Sequence, residues 1–473
     1  MGQSIEIPDG LSALVSPLKS LIEAVARQVK RGERRLGGSY GQFSEAVEAV
    51  AMEVERAAHA AALAALDVDA PRVVINGEAH ERVGRQSRTY RTKAGPVDVV
   101  RSLFRRSGER RGPTVDTITL QTGAVGDGWL PDTAEAMAYL LQQGTSREAE
   151  QTARRLGRLP YSRSSFDDVG HRVGRSLVNR HQAIEQTLIE SFAVPAGATG
   201  VTVSLDRVAL PMEEPRPRPR GRPRAEAPKR PVACVYRMAF CATVTLHDKE
   251  GETLHTIRYG TMPNGDPNTL CVGLAGDVLA LLDKDPKLAV SLLCDGAPEM
   301  WSRLDAEFTG DLFPKVSRLI DFFHVIEKLA PAARLLAVGD DAAQALLRSW
   351  RTRLKNTDLA AAAILRELEA SGLEDRQAGD AKPVHEAITY LTNHRARLHY
   401  ASALREGRPI GSGAVEATCK SLVAVRMKRP GARWKTPTGE NILHLRAMAL
   451  SDRWDDAMAI LMPRSAVKIR VAA

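Results

Sequence analysis

Three carboxylates stand where strands and a helix would deliver them to one place. Asp206 closes the apolar run Val201-Thr202-Val203-Ser204-Leu205, and Asp295 closes Leu288-Ala289-Val290-Ser291-Leu292-Leu293-Cys294. Open α/β sheets bind ligands at the C-terminal ends of their strands. Glu416 lies in Pro409-Ile410-Gly411-Ser412-Gly413-Ala414-Val415-Glu416, ahead of a stretch that is apolar and then basic. Ser412 reads as the N-cap of a helix that holds Glu416 in its first turns and runs uninterrupted to Arg429. Three such carboxylates can hold two Mg²⁺ ions about 3.5–4 Å apart, with Mn²⁺ as a substitute. One ion would activate a water or a 3′-hydroxyl, and the other would stabilise the oxygen leaving a phosphodiester. The same residues also admit plain roles. Strand-end aspartates cap turns, and a glutamate at a helix start is favoured by the dipole.

Other chemistry-bearing residues cluster around these three. Asp321 and His324 share a D-x-x-H spacing at a strand-to-helix junction, Arg207 follows Asp206, and Glu299 follows Asp295 by four. All four are read as supporting residues rather than as triad members. For His324, a place beside the site and a structural role at the junction stand as equal alternatives.

The elements that must position these residues follow from patterning. Residues 11–66 are helical, with Phe43, Val47, Val50, Val54, Ala57 and Ala61 forming one stripe. Short strands follow at Val73–Ile75, Arg88–Thr92 and Val97–Val100, with Asn76-Gly77 as a turn. Thr145-Ser146-Arg147-Glu148 has capping-box spacing. The helix it opens, a Gly157–Pro160 turn and the next helix start form helix-turn-helix spacing, which would point Arg163 and Ser164 at a DNA groove. From Val201 the order is three strands as a meander, a helix, two helix-linked strands, a helical block over 325–400, then the helix of Glu416. This is a multidomain α/β fold: a mixed sheet of the ribonuclease H kind with an all-helical insertion, preceded by a helical and small-β region that binds DNA.

Charge placement agrees with a polyanionic partner. The net charge is +9, but residues 72–111, 145–181, 213–230 and 420–435 together carry +21, which leaves −12 on the remainder. Candidate phosphate contacts are Arg85, Arg88 and Arg91 along one strand edge, and Arg216, Arg218 and Arg220 in a Pro-rich segment over 211–231. A third set is Lys420, Arg426, Lys428, Arg429, Arg433 and Lys435 after Glu416. Trp434 within that last set would stack on an unpaired base, or anchor the C-terminal helix to the core. Trp301 and Trp350 read as core. Five cysteines without a C-x-x-C pair argue against a zinc ribbon. No apolar run is long enough to span a membrane, and the polar opening residues Met1 to Asp9 are not a secretory leader, so a cytoplasmic, nucleoid-associated protein is expected.

Several blocks resemble the ISKra-type family of DDE transposases of bacterial insertion sequences, and more distantly the Mutator-like group. They are Ser204-Leu205-Asp206-Arg207, Cys294-Asp295-Gly296-Ala297-Pro298-Glu299-Met300-Trp301, Asp321 through Leu329, Pro409 through Lys420, Met427 through Trp434, and Asn441 through Ala447. The likeness covers roughly residues 72–460 and is most specific in the second half. It implies that Asp206, Asp295 and Glu416 are the metal-binding catalytic triad on a ribonuclease H-like fold. It also implies double-stranded DNA, both element ends and target, as substrate, and a homodimer or larger synaptic assembly. The expected organisation is 1–70 helical, 71–195 DNA-binding, 196–330 and 405–473 the two parts of the catalytic domain, and 331–404 the helical insertion. The alternative is a catalytically inactive or domesticated DNA-binding regulator with the same fold.

Overall fold

The computed structural model describes residues 7–33, 40–215, 232–372, 382–462 and 467–472. They form two compact units, Met1–Ser176 with Asp455–Ala473, and Leu177–Trp454. In the first, α1 (Val15–Glu33) and α2 (Tyr40–Ala64) precede β1 (Arg72–Ile75), β2 (Glu78–Thr92) and β3 (Gly95–Arg106). These strands and Ile469–Val471 form an antiparallel sheet in the order β3, β2, β1, then the C-terminal strand. Asn76 and Gly77 both have positive φ, 50° and 90°, as a two-residue hairpin turn requires. β2 and β3 are far longer than their apolar patterning suggests. Residues 80–88 are polar on both faces, so the hairpin here is held by backbone pairing and leaves no period to read. Four helices follow: α3 (Thr117–Thr122), α4 (Pro131–Gln143), α5 (Ser146–Arg155) and α6 (Arg163–Asn179). The capping box of α5 forms as its spacing predicts, with Thr145 and Glu148 bonding each other's backbone N–H.

The second unit opens with α7 (His181–Ser191), β4 (Gly200–Pro215), β5 (Val232–His247), β6 (Thr253–Thr261) and α8 (Pro267–Lys284). Next come β7 (Ala289–Cys294), α9 (Pro298–Glu307), β8 (Val316–Ile320) and α10 (Phe322–Leu336). The helical block continues with α11 (Asp340–Asn356), α12 (Ala360–Glu369), α13 (Lys382–His394) and α14 (Tyr400–Arg405). The chain then returns through α15 (Gly413–Thr418), α16 (Val425–Met427) and α17 (Thr436–Leu450), and α18 (Trp454–Leu461) leads into the C-terminal residues that belong to the first unit. The sheet is mixed, in the order β6, β5, β4, β7, β8, antiparallel on one side of β4 and parallel on the other. The chain is thus multidomain α/β, and no helix of the described residues is long and apolar enough to cross a membrane.

The parallel strands are buried on both faces, so they read as continuous apolar runs rather than alternating ones. Leu205, Leu292, Leu293 and Ile320 belong to one core cluster, and that cluster also takes in Trp350, Ile364, Leu368 and Val384 of the helical block. Trp301 and Trp350 are both buried, and the Trp350 indole N–H donates to Glu367 at 2.9 Å. Truncating Trp350 therefore tests whether the helical block packs as part of this core. Trp350→Ala is expected to lower the unfolding free energy by about 3–5 kcal/mol in urea denaturation. A loss too small to measure would mean that the block does not share the core.

Candidate functional site

Acids stand where the parallel pairing of three neighbouring strands gives out, although β4 does not close at Asp206 as the sequence suggests but runs on, paired with β5, to Pro215. Asp206 lies in β4 beyond Val203, the last residue registered with β7, while Asp295 and Asp321 directly follow β7 and β8. The ends are stitched together, with the Leu205 N–H meeting Cys294 Sγ at 3.3 Å and the Asp321 N–H donating to Cys294 O at 2.8 Å. Asp295 and Asp321 each also meet a helix start. Asp295 Oδ1 accepts the Ala297 N–H at 2.9 Å as α9 begins, and Asp321 Oδ1 accepts the His324 N–H at 2.8 Å as the N-cap of α10. Both contacts set negative charge against a positive helix end.

Asp321 does most to shape the site. It is fully buried, and its second oxygen accepts the Ser412 N–H from the returning chain. Phe322 N–H adds a bond to Ile410 O at 2.9 Å. Gly411 sits so close that an added Cβ would lie 2.8 Å from the Phe323 ring, so a side chain there would make the ring shift. Burial alone would raise the Asp321 pKa; the bonds from His324 and Ser412 outweigh it and hold the carboxyl below its usual value. Its partner His324 is driven the other way, to about 9, chiefly by the Asp321 bond.

The helix of Glu416 departs from the sequence expectation twice. Ser412 makes no side-chain cap bond; its hydroxyl reaches Glu416 Oε1 at 3.3 Å, and its carbonyl accepts the first helical N–H groups. Nor is the helix uninterrupted. α15 has six residues and passes into a π-helical turn, Cys419–Ala424, before α16. Such turns insert a residue into the helical register and recur at functional sites. Here the turn brings Cys419 Sγ within 3.4 Å of Asp206 Oδ2, across 213 residues of sequence. Sequence carried no signal for that contact.

Asp206, His324, Glu327 and Glu416 line one cavity of about 530 Å³ with Phe323, Gly411 and Gly413. His324 Nδ1 lies 3.2 Å from Asp321 Oδ1 and 3.9 Å from Glu416 Oε1. Among the described residues, the donor atoms that fall within 4.8 Å of one another are those of Asp321, His324 and Glu416. Of the three expected carboxylates, Asp206 and Glu416 meet in the cavity, while Asp295 is not on its wall. Glu327, one helical turn beyond His324, is an acid of the wall that sequence reading passed over. Within the tight set, Asp321 is buried and bonded on both oxygens, and His324 at a pKa near 9 carries a proton at neutral pH, so neither is an open ligand. The Glu416 side chain is 52% exposed, and its oxygens with those of Asp206 are the hard donors that Mg²⁺ or Mn²⁺ takes. Beside the cavity, Arg207 pairs with Glu299 at 2.7 Å, and Glu299 with Arg303 at 3.0 Å.

The cationic residues divide into engaged and open ones. Arg85 pairs with Asp69 and Asp67 at 2.9 and 3.3 Å. Arg88 reaches Thr119 and Gly126 O, and Arg91 bonds Asp127 O and lies over Trp129. The row on β2 is therefore engaged within its own unit, although β1 pairs with β2 over Glu78–Glu81 alone and the stretch that carries the arginines has β3 on one side. Arg163 meets Ser146 at 3.4 Å and Ser164 meets Ser162 at 2.9 Å. Arg216, Arg218 and Arg220 lie outside the described residues. After Glu416, Arg426 is buried under the Trp434 ring, while Lys420, Lys428, Arg433 and Lys435 are exposed. Arg429 is half-buried, its Nε donating to Val425 O at 3.3 Å. Trp434 donates its indole N–H to Met427 O and pairs its backbone with Pro211 and Glu213, which makes it an anchor onto β4.

If Asp321 holds the returning chain, removing its carboxylate leaves two buried N–H groups unpaired, at about 1–3 kcal/mol each. Asp321→Ala is expected to lower stability by that order in chemical denaturation and to speed hydrogen exchange at Ser412 and His324. Unchanged exchange at both amides would refute the clamp.

No protein-family model matches this chain, and no curated protein matches its sequence. Among solved structures, the Drosophila P element transposase strand transfer complex aligns over 72% of this chain and 83% of that one. The identity is 13% and the TM-score 0.25, a likeness too slight to carry an argument about fold or function.

Proposed function

We propose that the chain is a DDE transposase of a bacterial insertion sequence, cutting at its element's ends and joining the 3′-ends to target DNA. The observation that carries this reading is the convergence of Asp206 and Glu416 on one cavity at the C-terminal ends of parallel strands. The sheet order, three antiparallel strands followed by two parallel ones, with the helical block placed before Glu416, supports a ribonuclease H-like reading of this unit. Asp206 and Glu416 would hold two Mg²⁺ ions together with Asp295, which lies off the cavity wall in this structure and would have to turn towards it. Those ions supply an activated water or 3′-hydroxyl and charge neutralisation at the leaving oxygen.

The chain's own residues do the rest. Asp321 orients His324, and the resulting imidazolium sets a positive charge beside Glu416, where a scissile phosphate would meet it. Arg207 and Glu299 fix the β4 and α9 sides of the site against each other. Exposed Lys420, Lys428, Arg433 and Lys435 offer phosphate contacts along the chain that leaves the site. Two element ends held at once call for a homodimer or a larger assembly.

A second reading is an inactive DNA-binding regulator with this fold. It draws on the internal pairing of Glu416, which is bonded to Ser412 and close to an imidazolium. Cleavage of duplex DNA carrying the element's ends separates the two readings. The wild type is expected to cleave only with Mg²⁺ or Mn²⁺, and Asp206→Asn or Glu416→Gln to reduce the rate at least ~100-fold while DNA binding persists. Binding without cleavage under either metal would leave the regulator standing.

A further inference from the structure

The π turn that follows Glu416 is seated from two sides. Such turns are rare, and one persists only where its surroundings hold it.

On one side lies the sheet. Asp206 of β4, Cys241 of β5 and Gly260 of β6 are registered with one another, so they form one row across three strands. The turn crosses that row. Cys419, its first residue, meets Asp206, and Leu422 comes down on Gly260, where an added Cβ would lie 2.8 Å from Leu422 Cδ2. Cys241, Cys419, Leu422 and Val423 share one buried cluster with Leu443 and Ala447 of α17.

On the other side lies Arg446 of α17. It is 6% exposed; its Nε donates to Leu422 O at 3.1 Å and its Nη2 donates to Ser421 O. Both carbonyls belong to the π turn. One forked guanidinium thus spans two consecutive carbonyls, which the single ammonium of a lysine cannot copy. Burial lowers the Arg446 pKa to about 10, so the group still carries its proton at neutral pH. A buried cation is costly unless its donors are used, so guanidinium and turn satisfy each other. Arg446 does not line the carboxylate cavity, and any effect on that cavity must pass through the turn.

We propose that Arg446 is a positioning residue of the carboxylate site, holding the π register that sets Cys419 against Asp206 and keeps Glu416 on the same wall. The two ends of this stretch are fixed independently, Ser412 by Asp321 and Trp434 by Pro211 and Glu213 of β4. Relaxing the turn to α-helix removes one residue of register and rotates one flank against the other by about 100°. With both ends held, that rotation falls on α15 and carries Cys419 and Glu416 away from Asp206. The kinetic consequence of this role rests on the transposase reading; the structural consequence does not.

Arg446→Ala and Arg446→Lys in the full chain test it. Alkylation of Cys419 by N-ethylmaleimide, followed by peptide mass spectrometry, reads the seat of the turn. The kcat and KM for metal-dependent cleavage of DNA carrying the element's ends read the site. Arg446→Ala is expected to alkylate at least ~10-fold faster at Cys419 and to lose at least ~10-fold in kcat, with KM for DNA within ~2-fold. Ethylguanidinium should reverse both changes, and ethylammonium at the same ionic strength should not. Arg446→Lys keeps the charge without the fork, so it should melt near the wild type and fall between the two in both measurements. A folded Arg446→Lys that alkylates and cleaves as the wild type does would overturn the proposal. Rescue by ethylammonium equal to that by ethylguanidinium would overturn it too. A wild type that does not cleave at all would count against the transposase reading instead, and alkylation of Cys419 would still decide the role of Arg446.

Discussion

The site depends on one buried carboxylate. Burying Asp321 without partners would be prohibitive, and the chain meets that demand with the N–H groups of His324 and Ser412. Those donors come from opposite sides of the helical block, one at the start of α10 and one where the chain returns. The acid therefore closes a long excursion onto the end of β8. Gly411 belongs to the same closure, since the returning chain passes close against the Phe323 ring at that point.

From that closure Glu416 follows almost mechanically. Once Ser412 is fixed, one helical turn sets Glu416 facing the cavity, and the Ser412 hydroxyl steadies it. The π turn then shifts the register so that Cys419 meets Asp206 instead of facing away. Beyond it, Trp434 fastens the basic segment along the arm that β4 and β5 extend past the sheet. Acids and cations are thus carried on one continuous piece of chain but held apart by different anchors: Asp321 for Glu416, and the β4 arm for Lys428 to Lys435.

How much of this was legible depended on whether the cause was local. The strands β4 and β7 announced themselves as apolar runs leading to acids, and the α5 capping box and the Asn76-Gly77 turn are short-range chemistry. The misses are tertiary. Ser412 has the residue type of an N-cap, yet its hydroxyl is drawn to Glu416. The π turn is imposed by contacts across hundreds of residues. The arginines of β2 looked free because their acceptors, Asp67, Asp69 and Gly126, lie 16 to 38 residues away. The three acids at the strand ends were equally visible. Sequence could not say that the buried one would be Asp321, nor that Asp295 would turn towards α9 and off the cavity wall.

Carboxylates occur in two concentrations in the second unit, and their arrangement separates the chemistry of each. Around β4 and β8, Asp206 and Glu416 line one cavity from different elements. Along α7 and α8 the acids are spaced by helical turns, and most are already bonded by the chain, Asp266 by the start of α8 and Glu440 by Thr261 and Met262. Charge count alone would make the two places equivalent. The difference is in who pairs with whom: Asp321 is satisfied by backbone N–H groups of the two chain segments it joins, whereas Glu185 is met by the buried Arg453 guanidinium at 2.9 Å, so one acid fixes the backbone around a cavity and the other neutralises a buried cation.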